Sequence, residues 1–99
     1  MFELMELFES DKVTTKILGE TVMIHYVSNL FVDGEKCEGG CFLSERLIKI
    51  DSSLLDDKER LERVVRHEKM HMALGISGLT EIMDPKIEEA ICVMMESFK

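Results

Sequence analysis

His67, Glu68 and His71 form the pattern His-Glu-x-x-His over residues 67–71. On an α-helix, residues four apart stack on one face, so both imidazoles would face one point in space. Two imidazoles so placed can hold a divalent metal ion. Glu68 lies one position round, beside the coordination position that the protein leaves open, where a base for a water belongs. The chemistry implied is metal-assisted hydrolysis, with zinc (Zn2+) as the expected ion. A catalytic zinc takes three protein ligands and keeps one position for water.

The chain must therefore supply a third ligand. One zincin class takes a histidine six residues after the second, with a glycine between them. Leu74 and Ser77 occupy those positions here, which excludes that class. The remaining histidine, His25, falls on an expected strand. The other arrangement is two histidines and a glutamate from a following helix. Glu81, Glu88, Glu89 and Glu96 lie downstream. Glu81 falls in a loop, and Glu96 is expected to lie too far along the second helix. Glu88 or Glu89 is expected to close the site, with Glu88 slightly preferred.

These residues need a helix to carry them and a scaffold beneath it. Val13–Leu18 is β-branched and reads as a strand, and Gly19-Glu20 as a turn. Residues 21–27 read as a partner strand, with Val22, Ile24 and Tyr26 on one face and Met23, His25 and Val27 on the other. Both faces are apolar enough for a central strand. Residues 33–40 are rich in turn formers, and Cys41 to Ile50 reads as a strand or hairpin. Asp56 and Glu59 form a candidate capping box for a helix reaching about Leu74, with Leu61, Val64, Val65, Glu68 and Met72 on one face. His67 and His71 border that face. Gly75 and Gly78 are candidate stops. Asp84-Pro85 opens a second helix, expected to bury Ile87, Ala90, Ile91, Met94 and Phe98.

The fold class expected is α+β. A small three- or four-stranded sheet is followed by the helix of the motif and a C-terminal helix, a minimal zincin-like arrangement. Ninety-nine residues make a single domain, 1–99, with residues 1–12 as an N-terminal arm or short helix. The net charge of −8 disfavours direct contact with nucleic acid or anionic lipid. No apolar stretch is long enough to span a membrane, and acids stand where an export signal needs bases. Three cysteines, Cys37, Cys41 and Cys92, are then expected to be reduced thiols in a cytoplasm. Cys37 and Cys41 resemble half of a structural zinc site, but no second ligand pair accompanies them.

His67-Glu68-x-x-His71, then Gly75-Ile-Ser-Gly-Leu79 taken across the turn, then Glu88-Glu89-Ala90-Ile91, resembles the gluzincin pattern. The chain is most similar to small ImmA/IrrE-like metallopeptidases, including short forms common in phage genomes. Gly39-Gly40-Cys41-Phe42 and Ile48-Lys49-Ile50-Asp51 resemble the strands that lead into that family's active-site helix. The resemblance implies zinc held by His67, His71 and a glutamate of the second helix, with Glu68 as catalytic base. It also implies a peptide or protein substrate, and the host cytoplasm for a phage-encoded form. The chain departs from the pattern in having no Asn or Asp at the usual spacing after those glutamates. A substrate in extended form is expected to add to the sheet at Leu47–Ile50. Tyr26 and His25 are the residue types available to help an oxyanion. The contrasting reading is a non-catalytic, zinc-stabilised protein-binding module, such as a phage regulatory protein. Glu68 separates the two, because a purely structural site does not need it.

Overall fold

The structure is a computed structural model, and residues 12–98 are described. The expected N-terminal arm or short helix lies outside them, apart from Lys12. Six strands come first: β1 Lys12–Ile17, β2 Glu20–Val27, β3 Phe31–Val32, β4 Glu35–Lys36, β5 Gly39–Phe42 and β6 Leu47–Asp51. Two α-helices follow, α1 Lys58–Ile76 and α2 Pro85–Met95. Short 3-10 turns precede β6 and both helices. The chain is α+β, as the alternation of periods implied.

The main sheet has four strands in the order β1-β2-β6-β5. β1 and β2 form a hairpin through Leu18 and Gly19, which both hold positive φ. β2 then pairs parallel to β6, with Ile24 opposite Ile48 and Tyr26 opposite Ile50. β5 pairs antiparallel to β6, with Gly39 opposite Ile50 and Phe42 opposite Leu47. The sheet is therefore mixed, and β2 is interior, as its two apolar faces suggested. β3 and β4 form a separate two-stranded ribbon. Asp51 ties that ribbon to the sheet. Its carboxylate accepts from the Leu30 amide at 2.7 Å, from Lys36 Nζ at 2.9 Å, and from the amide and hydroxyl of Ser53.

This topology corrects one expectation. Leu47–Ile50 is not a docking edge, because β2 and β5 occupy both of its sides. Among the described residues the edges of the sheet are β1 and β5, and β5 is the edge beside β6. A run as apolar as Leu47-Ile48-Lys49-Ile50 suits the interior of the sheet, whereas Gly39-Gly40 buries little and is left outside.

One face of the sheet carries the core. Val22, Ile24, Ile48 and Ile50 pack against Met72 of α1, with Ile17 and Leu54 at the ends. Leu61, Val64 and Val65 add to the cluster from the first turns of α1. The helix begins one residue later than the capping-box pattern implied. Asp57 is the N-cap and accepts from the Arg60 amide, while Asp56 belongs to the preceding turn. α1 also runs through Gly75, and Gly78 in the left-handed region stops it. At α2, Asp84 caps and Pro85 occupies the first turn, as expected.

The stripe expected to be buried on α2 is the second correction. Ile87, Met94 and Phe98 are 56%, 58% and 57% exposed, and Ala90 is exposed as well. The helix turns instead so that Glu88, Cys92 and Glu96 face α1, with Cys92 fully buried. Polar contacts with the α1 histidines decide the rotation. The stripe would have needed an apolar partner, and Met72 and Leu74 of α1 are already buried.

Candidate metal centre

His67, Glu68 and His71 all lie on the middle turns of α1. The four-residue spacing stacks the imidazoles, with ring centroids 5.0 Å apart. α2 lies across them, and the contacts pair Glu88 with His71 and Glu96 with His67. The two helices therefore run antiparallel. Arg66 fixes the far end of this packing by donating to the carbonyls of Met95 and Glu96.

Each histidine is held by its inner nitrogen. His67 Nδ1 donates to Glu96 Oε2 at 2.7 Å, and His71 Nδ1 donates to Glu88 Oε2 at 2.6 Å. A neutral imidazole donates from one nitrogen and presents a lone pair on the other. With Nδ1 so committed, Nε2 is the atom of each ring left with a lone pair to offer a metal ion, and carboxylates behind metal-binding histidines do this work in general. Both Nε2 atoms face Glu89, at 3.2 Å from Oε2 for His67 and 3.1 Å from Oε1 for His71. Two lone pairs opposite a carboxylate call for positive charge between them, from protons or from a cation.

Cys92 completes a group positioned to bind a metal ion. Donor atoms of His67, His71 and Cys92 all lie within 4.8 Å of one another. The thiol sits one turn before Glu96 and one turn after Glu88, on the inner face of α2. Burial pushes the Cys92 thiol up to about 12, with the carboxylates of Glu88, Glu89 and Glu68 adding to it. The same causes, burial first and then Glu68 and Glu88, push Cys41 up to about 12.

Glu68 reaches Gly39 of β5, and it is only 8% exposed. Burial raises its pKa, and the two histidines partly oppose the rise. Gly39 makes its seat. A methyl group at Gly39 would lie 3.0 Å from Glu68 Cγ, 3.1 Å from Oε2 and 2.8 Å from Val64 Cγ1. A side chain at that position would therefore displace the carboxylate.

The site opens into a cleft of about 400 Å³ lined by Gly39, Cys41, Leu43, His67, Glu68, His71, Gly75, Thr80, Glu88 and Glu89. A second hollow of about 290 Å³ continues past Gly39 to Cys37, Glu38, Val64 and Glu96. Together they run along β5. Leu43 packs over the bare backbone of Gly75, where a Cβ would meet its methyl groups at 2.7 and 2.8 Å. That contact explains a glycine inside α1, at a position whose residue type suggested a stop.

The structure thus brings together His67, Glu68, His71, Glu88 and Glu89. It also brings in Glu96, which was expected to lie too far along α2. Eight residues of α2 advance about 12 Å while four of α1 advance about 6 Å, and two long glutamate side chains close the difference. Tyr26 lies elsewhere, in a hollow with Leu61, Val65 and Lys69, and His25 does not line the cleft. Cys92 was missed. Its signal was the spacing Glu88, Cys92, Glu96, which puts three polar side chains on one helical face.

No protein-family model, no curated protein and no solved structure matches the chain.

Proposed function

We propose that this chain is a zinc-dependent peptidase of gluzincin type, akin to the short ImmA/IrrE-like metallopeptidases. One observation carries the reading. The Nε2 atoms of His67 and His71 converge on Glu89 of α2, while a buried carboxylate, Glu68, faces the same cleft beside β5, an edge strand among the described residues. The donor set suits zinc, which accepts imidazole, thiolate and carboxylate ligands. Zinc held there would acidify a water toward a pKa of about 7 and polarise a carbonyl oxygen.

The protein's own groups supply the rest. Glu96 and Glu88 hold the imidazoles in one tautomer and orientation. Glu68 receives the proton of the attacking water and returns it to the leaving amine. Its raised pKa suits both halves of that task, because a carboxylate in its ordinary range holds a proton poorly at neutral pH. The outer edge of β5 offers main-chain groups to an extended peptide, and Gly39 and Gly40 keep side chains out of its way.

The test is metal analysis of the purified protein beside peptide cleavage by wild type and Glu68→Gln. Stoichiometric zinc, with cleavage lost in the variant and zinc retained, is expected. Zinc absent from the wild type, or cleavage unchanged in Glu68→Gln, refutes the proposal.

A specific observation favours a second reading, a zinc-stabilised module that binds a protein partner. Glu89 lies across both Nε2 atoms, and Cys92 Sγ lies within 4.8 Å of a nitrogen of each ring. All four donors used at once would leave no position for water. Stoichiometric zinc without cleavage of any peptide in a diverse pool would select this reading.

A further inference from the structure

We propose that the flank of α1 turned away from the metal centre is a docking trough, and that its occupant is the N-terminal segment of the same chain, residues 2–11. The proposal is independent of the metal-site reading. Lys69 and Ala73 each stand two residues from a histidine, which on an α-helix is nearly the opposite side.

Two hollows lie between that flank and the strands β1 and β2. One, of about 360 Å³, is lined by Ile24 and Tyr26 of β2 and by Leu61 and Val65 of α1. The other, of about 250 Å³, lies among Ile17, Met70, Ala73 and Met95. Arg66 and Lys69 line both, so the two join into one trough that follows α1 from Leu61 to Ala73. Twelve residues of helix make it about 18 Å long. Val13 of β1 is opposite Ile24 in register and so shares its side of the sheet. Ile24 is 3% exposed, yet Val13 is 44% exposed. Among the described residues, the helix side of β1 therefore lacks apolar cover at its first turn of chain.

Position, reach and charge select the occupant. β1 begins with Lys12 opposite His25, so the segment starts beside Tyr26 and the first hollow. β1 runs from that hollow to the second, and Ser10-Asp11 are turn formers where the segment must fold back along α1. Residues 2–11 cover about 15 Å as a helix and about 33 Å extended, a range that contains the trough. The segment carries Phe2, Leu4, Met5, Leu7 and Phe8 among Glu3, Glu6, Glu9 and Asp11, with no Lys or Arg. The trough sets three cations, Lys16, Arg66 and Lys69, against one acid, Glu62. Among the described residues none of the three is paired with a carboxylate. Lys16 donates to the Thr21 hydroxyl, and Arg66 to the carbonyls of Met95 and Glu96. In a chain of net charge −8, an apolar trough with a basic rim suits an acidic, apolar partner. A tethered partner is also favoured over a separate molecule, since its effective concentration is of millimolar order.

Methyl-labelled full-length protein reads the contact by NMR. Nuclear Overhauser contacts are expected from Leu4, Met5 and Leu7 to Val65, Met70 and Ala73. A mixture of labelled and unlabelled copies is expected to show that they arise within one chain. Leu7→Asp combined with Phe8→Asp is expected to abolish them and to lower Tm by about 4 °C or more. Lys69→Glu is expected to lower Tm more in dilute buffer than in about 1 M salt. Absence of contacts between residues 2–8 and the trough in the wild type overturns the proposal. Contacts to Ile87 or Met94 on the exposed face of α2 instead also overturn it. Contacts found only between chains give the trough to a second copy and overturn the occupant. A Tm for the double variant within about 1 °C of wild type overturns it too. The wild-type spectrum decides the point even if a variant fails to fold.

Discussion

The seat of Glu68 offers the sharpest perturbation. In Gly39→Ala, the new methyl group would stand 2.8 Å from Val64 Cγ1 and 3.0 Å from Glu68 Cγ. Neither neighbour can move freely. Val64 packs against the core cluster, and Glu68 is buried on α1. Relief therefore requires β5 and α1 to separate by several tenths of an ångström. Overpacking of this kind costs about 1–3 kcal/mol. For a domain of this size each kcal/mol lowers Tm by roughly 4–8 °C, so a fall of about 4–24 °C is expected by scanning calorimetry. Catalysis should suffer beyond stability, because a misplacement near 1 Å costs on the order of 100-fold in rate. Zinc affinity should stay within a few fold, since neither histidine touches the new methyl. Gly40→Ala is the matched control. Its methyl would meet Val32 and Phe42 on the other face of the same strand and would leave Glu68 alone. It should lose some stability and keep catalysis. A Tm for Gly39→Ala within about 2 °C of wild type, or equal rates for the two variants, would refute the argument that β5 shapes the site.

Glu68→Gln in the metal-free protein should be more stable than wild type at neutral pH. The folded pKa of Glu68 is raised, so its ionisation opposes folding above the ordinary glutamate range. The gain should fade as pH falls through that range, and a gain that grows in acid would contradict the assignment. Asp51 has the opposite sign, since the Ser53 hydroxyl, the Leu30 amide and Lys36 hold its carboxyl well below the usual range. Asp51→Asn should destabilise at neutral pH, with the difference disappearing as pH falls below about 4, as read from Tm against pH. Met72→Ala removes a fully buried side chain between helix and sheet and should cost about 2–5 kcal/mol in denaturant unfolding, with zinc stoichiometry unchanged. Glu88→Gln and Glu96→Gln should each weaken zinc by about 10–100-fold without abolishing it, as measured by chelator competition. Complete loss in one of them would make that glutamate a ligand.

Much of the scaffold is legible from local chemistry. The β-branched run at 13–18, the apolar run at 47–50 and the Asp84-Pro85 start signal report on backbone preference within a few residues, so strands and helices fall close to where periodicity places them. The rotation of α2 is not local. Ile87, Met94 and Phe98 form a fair apolar stripe, yet they face outward because the histidines of α1 draw Glu88 and Glu96 inward. Which strand is the edge is not local either, since it depends on β2 and β6 pairing parallel across an intervening ribbon.

The centre divides in the same way. His67, Glu68 and His71 share one face through helical geometry alone, so their spacing in the sequence already states that two imidazoles and a carboxylate belong together. Tertiary structure alone decides what they meet. The antiparallel crossing of α2 puts Glu88 and Glu96 behind the rings, Glu89 across their front and Cys92 between the helices, and β5 presents a glycine to Glu68. Those partners are seventeen to twenty-nine residues away in the chain, and no helical or strand period links residues at that distance; only packing brings them together.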